Sequence, residues 1–270
     1  MTRSICIHGH FYQPPRENPW TDDVDRQPSA APYQNWNKRI YAECYARNGR
    51  APIMDEDESV LRYVNNYEHI SFDFGATLLR WAERDEPRLL GLLAEAEKKS
   101  VFFHEGHGNG VAQSYHHIIL PLATAEERQI EIHWGLEEFE VRFGRRPKGL
   151  WLPETAVNLP SLESLVDAGV EYTILAPSQI EAIAAPGDDW TPVSELKKGF
   201  TRRPYLVDLP SGRTITVLVY DGDISHGIAF GGLLNDGKRF ADSIVSRFDD
   251  SSEEEQLILV ATDGESYGHH

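Results

Sequence analysis

The sequence predicts an α/β fold, a distorted, TIM-like (β/α)7 barrel with inserted loops, and three observations point to it. Seven apolar, strand-like runs alternate with helical segments, and no hairpin signal joins most of them; strands separated by helices form parallel sheets with right-handed crossovers. Polar and titratable residues collect where those runs end, the place where a barrel of parallel strands builds its site. A length of 270 residues suits one large α/β domain with a sizeable core. The whole chain, 1–270, therefore reads as a single catalytic barrel domain. It stops at His269-His270, directly after a strand and a glycine, which reads as the N-terminal part of a longer polypeptide.

The first strand covers Arg3 to His10, with Ser4-Ile5-Cys6-Ile7 leading into His8-Gly9-His10. A loop rich in proline and aromatics follows from Phe11 to about Pro32, stiffened because proline fixes φ. Residues 33–50 carry Tyr33, Trp36, Ile40, Tyr41 and Tyr45 at roughly helical spacing. Glu68 to Phe74 is the second strand, followed by an amphipathic helix from Ala76 to Arg84 and another from Pro87 to Lys99. Val101-Phe102-Phe103 predicts a short third strand ending in His104-Glu105-Gly106-His107. Thr124, with Glu127 three residues on, forms a capping box that opens a helix to about Phe143. Gly144-Arg145-Arg146-Pro147 stops it. Gly149 to Pro153 is strand four, and a helix runs from Leu159-Pro160 to Gly169. Strand five is Glu171 to Leu175; residues 177–213 are irregular or hold a small hairpin. Thr214 to Tyr220 is strand six, Gly237 to Asp249 a helix, and Gln256 to Ala261 strand seven. The acidic run Asp249 to Glu255 reads as a solvated loop.

The charge balance narrows the partners. Acidic residues outnumber basic ones by 43 to 26, a net charge of −17, which argues against attraction to nucleic acid or an anionic membrane. A neutral partner such as a sugar is compatible with it. No glycine-rich phosphate loop follows the first strand, and no apolar stretch approaches the ~18 residues that span a bilayer. Cys6 and Cys44 are too few for a disulfide framework. With no signal segment at Met1-Thr2-Arg3-Ser4, a cytoplasmic location is expected.

Two acids carry the chemical argument. Glu154 closes Gly149-Leu150-Trp151-Leu152-Pro153-Glu154, and Asp263 closes Leu257-Ile258-Leu259-Val260-Ala261-Thr262-Asp263. Two carboxyls converging at strand ends can divide the cleavage of a glycosidic bond, one as nucleophile and one as proton donor and acceptor. Either acid alone can also cap a following helix. Asp263, Glu265 and His269 within seven residues exceed what a turn requires. His8 and His10 suit hydrogen bonding to sugar hydroxyls; they also fit zinc ligation together with an acid such as Asp73 or Asp221. Asp221 and Asp223 serve equally as turn acids or site residues, and Tyr115, His116 and His117 read as structural. Trp151 is either core or a ring that stacks on a pyranose, and Phe11 to Trp20 is a candidate aromatic platform.

At these residues the chain resembles glycoside hydrolase family 57. His8-Gly9-His10 followed by Gln13-Pro14 looks like the first family motif, His-x-His-Gln-Pro, with Phe11-Tyr12 intervening. His104-Glu105-Gly106-His107 resembles the second less sharply. Trp151-Leu152-Pro153-Glu154 is close to the third, and Asp263-Gly264-Glu265 with Gly268-His269 matches the fourth. His270 replaces the aromatic usually found there, and a fifth, helical motif would lie downstream. The resemblance implies a (β/α)7 barrel and a retaining mechanism on α-linked glucans, hydrolytic or transferring, with Glu154 as nucleophile and Asp263 as acid/base. It implies that His8, His10, Gln13, Glu105, His107, Trp151, Glu265 and His269 bind substrate; Asp221, from its place after strand six, is a further candidate for that role. It implies no metal or cofactor; the partner is an α-glucan, with a downstream domain of the same polypeptide as a second. The rival readings are a metal-dependent carbohydrate deacetylase and a non-catalytic glucan-binding barrel.

Overall fold

The computed structural model describes residues 2–196 and 199–269; His270 lies outside them. Seven strands run parallel: β1 (Arg3–Phe11), β2 (Ser71–Phe74), β3 (Ala112–Gln113), β4 (Leu150–Trp151), β5 (Tyr172–Leu175), β6 (Thr214–Val219) and β7 (Gln256–Asp263). Between them lie the helices α1 (Ala76–Asp85), α2 (Pro87–Phe103), α3 (Ala125–Phe143), α4 (Leu159–Asp167), α5 (Gly222–Ala229) and α6 (Gly237–Val245). A helical segment at 36–49 precedes a hairpin of Ala51–Met54 and Val60–Val64, which the sequence reading did not foresee.

The strands join in the order β7-β1-β2-β3-β4-β5-β6. Full ladders link β7 to β1, β1 to β2, β3 to β4 and β5 to β6. Single bridges, Phe72 with Gly110 and Gly149 with Tyr172, supply the two remaining steps. The register sets His10 level with Asp263 on one side and Asp73 on the other. The sealed seven-stranded barrel expected from the sequence is not seen in these ladders. The outer edge of β6 is taken by an antiparallel strand, Tyr205–Asp208. From the end of β6 to β7 runs one backbone hydrogen bond, Asp221 N to Leu259 O, at 2.7 Å.

The third strand differs from expectation, with consequences for the site. Val101-Phe102-Phe103 has the β-branched and aromatic character of a strand, but here it finishes α2 with both phenyl rings in solvent. The helical hydrogen bonds continue through this run, as far as His104 N to Ser100 O at 2.9 Å, against its local preference. Glu105 and Gly106 take positive φ and end the helix. His104 to His107 therefore lie on the exposed turn leading into β3, at the amino edge of the strands.

Apolar faces of the helices cover the strands. Ile132, Leu136, Leu162 and Leu165 pack on Leu150, Val217 and Val219. Leu78, Leu79, Trp81, Leu89 and Leu93 join Phe11, Phe72 and Phe74 in an aromatic-rich cluster. Burial on this scale is the main stabilising term, about 1.5–3 kcal/mol for each large side chain. A further cluster, Val111, Trp151, Ile174, Leu259 and Ala261, gathers side chains from β4, β5 and β7 together with the residue before β3. At Gly135 of α3, a Cβ would stand 2.0 Å from Gln113 O, so glycine is what lets this helix approach β3. The α3 capping box forms as expected, and Gly144 ends the helix at φ 71°. Among the described residues, no helix is long and apolar enough to cross a membrane.

Candidate active site

Side chains at one face of β1 meet β2 and β3 in a buried polar cluster. Residues two apart on a strand share a face, so His8 and His10 both reach Asp73. His8 Nε2 lies 2.9 Å from Asp73 Oδ1, and His10 Nδ1 lies 2.7 Å from Asp73 Oδ2. Gln113 Nε2 donates to Asp73 Oδ2 at 2.8 Å. His8 Nδ1 is 2.9 Å from Ser71 Oγ, and His10 Nε2 is 2.8 Å from His117 Nε2.

Charge within the cluster follows from burial and pairing. Burial opposes a charge on His10, but the Asp73 carboxylate, helped by Glu265 and Asp263, outweighs it and raises the imidazole. Burial also opposes a charge on Asp73, yet His10 and His8 hold that carboxyl below its usual range. His117 is pushed down to about 4, first by burial and then by the charge on His10. The consistent state is His10 as imidazolium, donating to Asp73 and to a neutral His117. The His117 ring in turn stacks on Tyr12, with centroids 3.8 Å apart.

A second network surrounds Glu265. Its carboxyl is raised by burial and accepts from the Tyr45 hydroxyl and, at 3.4 Å, from Gln13 Nε2. Arg16 Nη1 donates to Gln13 Oε1 at 2.7 Å and to Asn37 Oδ1 at 3.0 Å. His269 pairs with Glu43 and meets the edge of Trp36.

Across from these networks an open cleft of about 360 Å³ lies over the ends of β4 to β7, with Glu154 and Asp263 both in its lining. Both carboxylates are exposed. Glu154 and Thr155 have φ of 56° and 50°, a left-handed pair that costs energy without glycine and recurs at functional sites. Hydrogen bonds from Thr155 N to Leu152 O and Ala156 N to Pro153 O hold the turn, with Gln179 Nε2 donating to Thr155 O. Asp263 ends β7; the next residue, Gly264, lies so close to the Phe11 ring that a Cβ would come within 2.2 Å. Tyr220 stands beside Asp263, and burial together with that carboxylate raises its phenol.

The structure thus brings Glu154, Asp263 and Trp151 to one cleft and places His8, His10, Gln13 and Glu265 in the networks beside it. Three sequence expectations change. Glu105 and His107 sit exposed at the opposite edge, because the segment before them is helical. Asp221 caps α5 through Ile224 N and pairs with Arg247 at 3.0 Å, so both its oxygens are engaged in holding a helix. Trp151 is 5% exposed and stacked on His8 and His10 at 5.0 and 5.2 Å, which leaves little ring face for a sugar. Sequence reasoning assigned no site role to Gln113 or to His117, which it read as structural. His-His after a short strand was the one signal for His117; nothing local marked Gln113.

A fold of parallel strands, with acids on strand ends around a cleft and an imidazole–carboxylate cluster beside it, defines the class of protein. Its family follows from the sequence. The chain belongs to glycosyl hydrolase family 57, whose model matches residues 8–270. It is 26% identical over 230 residues to a 4-alpha-glucanotransferase of Thermococcus litoralis, covering 85% of this chain and 30% of that protein. It is 25% identical over 202 residues to an alpha-amylase of Pyrococcus abyssi, covering 74% and 27%. The chain therefore spans about a third of the length of these relatives. The crystal structure of the Thermococcus litoralis 4-alpha-glucanotransferase superposes with a TM-score of 0.69 at 19% identity, over 99% of this chain and 34% of that one. That likeness shows the fold.

Proposed function

We propose that the chain is the catalytic domain of a retaining glycoside hydrolase or α-glucan transferase acting on α-linked glucans. One observation carries this reading: Glu154 and Asp263, from the ends of β4 and β7, both line one cleft with their carboxylates exposed. In the first step Glu154 attacks the anomeric carbon. The bond to the leaving sugar breaks, and Asp263 gives its proton to the departing oxygen. In the second step Asp263 takes a proton from water or a sugar hydroxyl, whose oxygen displaces Glu154. Gln13, Glu265 and His269 orient the donor sugar or the groups that touch it, while His8 and His10, with their ring nitrogens already bonded, act at one remove by holding Asp73 and His117 in place.

The inner cluster of Val111, Trp151, Ile174, Leu259 and Ala261 supports reading the seven strands as a (β/α)7 barrel closed around a common interior. Both cysteines are free thiols, which supports a cytoplasmic protein. The metal-dependent deacetylase reading is separated from this one by chelation: activity abolished by removal of bound metal would favour the deacetylase. The test is incubation with amylose and maltooligosaccharides, followed by profiling of products by size and linkage. Shortened or redistributed α-glucans are expected. Glucans bound but never altered would leave the non-catalytic barrel instead.

A further inference from the structure

Phe230 is 80% exposed at the lip of the cleft that holds Glu154 and Asp263. A ring in the lining of a concave cleft, on a fixed support, can take the apolar face of a ligand bound there. The platform beneath it is rigid. Asp221 caps α5 and pairs with Arg247. Ile224 and Ile228 pack against Ile258 and Val260 of β7, and Ser225 Oγ accepts from Ala261 N at 3.2 Å. The open side of this helix presents His226, whose ring tilts against Phe230 at 5.2 Å. Trp151, another ring in the cleft lining, is occupied by His8 and His10.

The position on the cleft assigns a side. Helix α5 is bolted to β7, the strand that ends in Asp263, and not to β4, which leads to Glu154. In a double displacement the acid/base stands beside the leaving oxygen, so the sugar on its side is the departing or accepting one. We infer that Phe230 and His226 form the acceptor-side subsite, the phenyl ring taking the apolar face of a glucose unit and the imidazole one of its hydroxyls. The inference deepens the glycosidase reading and rests on it. An acceptor held there competes with water for the glycosyl group, so this subsite sets the ratio of transfer to hydrolysis.

The test compares the parent protein with Phe230→Ala and Phe230→Trp. With maltotriose as acceptor and an α-glucosyl fluoride as donor, F230A should lower the transfer-to-hydrolysis ratio about tenfold, a loss of ~1.4 kcal/mol. F230W should restore it. Acceptor-free hydrolysis of the fluoride should fall less than transfer does in F230A, because fluoride leaves without occupying a sugar subsite. A ratio unchanged in F230A overturns the inference, and so does an equal fall in acceptor-free hydrolysis. Binding separates the two readings: maltopentaose affinity, measured by calorimetry on Glu154→Gln with and without F230A, should fall about tenfold with the ring removed. A parent that binds the oligosaccharide through Phe230 but never cleaves it contradicts the glycosidase reading while keeping the surface. Undiminished affinity in F230A contradicts the surface.

Discussion

Over β1, β2 and β3 the polar side chains are buried and bonded to one another, whereas over β4 and β7 two carboxylates face an open cleft. Asp73 accepts from His8, His10 and Gln113 and touches no solvent. Glu154 and Asp263 stand exposed on turns that their neighbours hold in place. The difference separates two tasks. Buried groups of unlike charge fix each other's orientation at a desolvation cost that only full hydrogen bonding offsets. Groups that must meet a substrate keep their lone pairs free and receive their placement from the backbone. A substitution in the first region should therefore act on stability, and one in the second on turnover.

The largest expected effect tests the open side. Glu154→Gln and Asp263→Asn should each reduce kcat on amylose on the order of 10³-fold or more, the scale of a lost nucleophile or acid/base. Because both side chains are exposed, the unfolding free energy from urea titration should change by less than ~0.5 kcal/mol. A large fall in stability would erase the contrast. The buried side should respond the other way. Asp73→Ala leaves His8 and His10 without their shared acceptor and should cost about 3–5 kcal/mol of unfolding free energy, read by urea titration.

Acidity sharpens the same contrast. His117 titrates at about 4 in the fold against 6.5 when unfolded, so between those values the unfolded chain holds more protons. Stability then falls as pH drops from 6.5 toward 4. His10 has the opposite sign: its raised pKa gives stability that is complete below 6.5 and lost as pH climbs through the folded value. In urea titrations from pH 4 to 8, the parent should lose more stability than His117→Gln as pH drops from 6.5 toward 4. The smallest effect is expected at the opposite edge. Glu105→Ala and His107→Ala should leave turnover within about twofold and stability within ~0.5 kcal/mol. A strong loss of activity there would return them to the site.

Much of this was legible in the chain. The runs ending in His8-Gly9-His10, Glu154 and Asp263 are apolar, bounded and followed by polar residues, and the structure makes strands of them. The acids at the ends of β4 and β7 did come to one cleft. What escaped was short or depended on distant partners. β3 is two residues, Ala112–Gln113, too brief to show a period. Val101-Phe102-Phe103 offered a better strand locally, and that choice misplaced Glu105 and His107. Gln113 and His117 matter because the fold sets them against Asp73 and His10, residues 40 and 107 positions away. Asp221 looked like a site acid until its helix existed to be capped. Phe230 gave no signal, since an exposed ring is recognisable only when the cleft beside it is known.

The central claim is that Glu154 is the nucleophile of a double displacement. Incubating the protein with a fluorinated glucosyl fluoride that forms the glycosyl-enzyme and then stalls, followed by peptide mapping by mass spectrometry, addresses it directly. The account predicts one glucosyl adduct, on the carboxyl of Glu154, absent from Glu154→Gln. An adduct on any other residue, or turnover that inverts the anomeric configuration with no adduct, would contradict it.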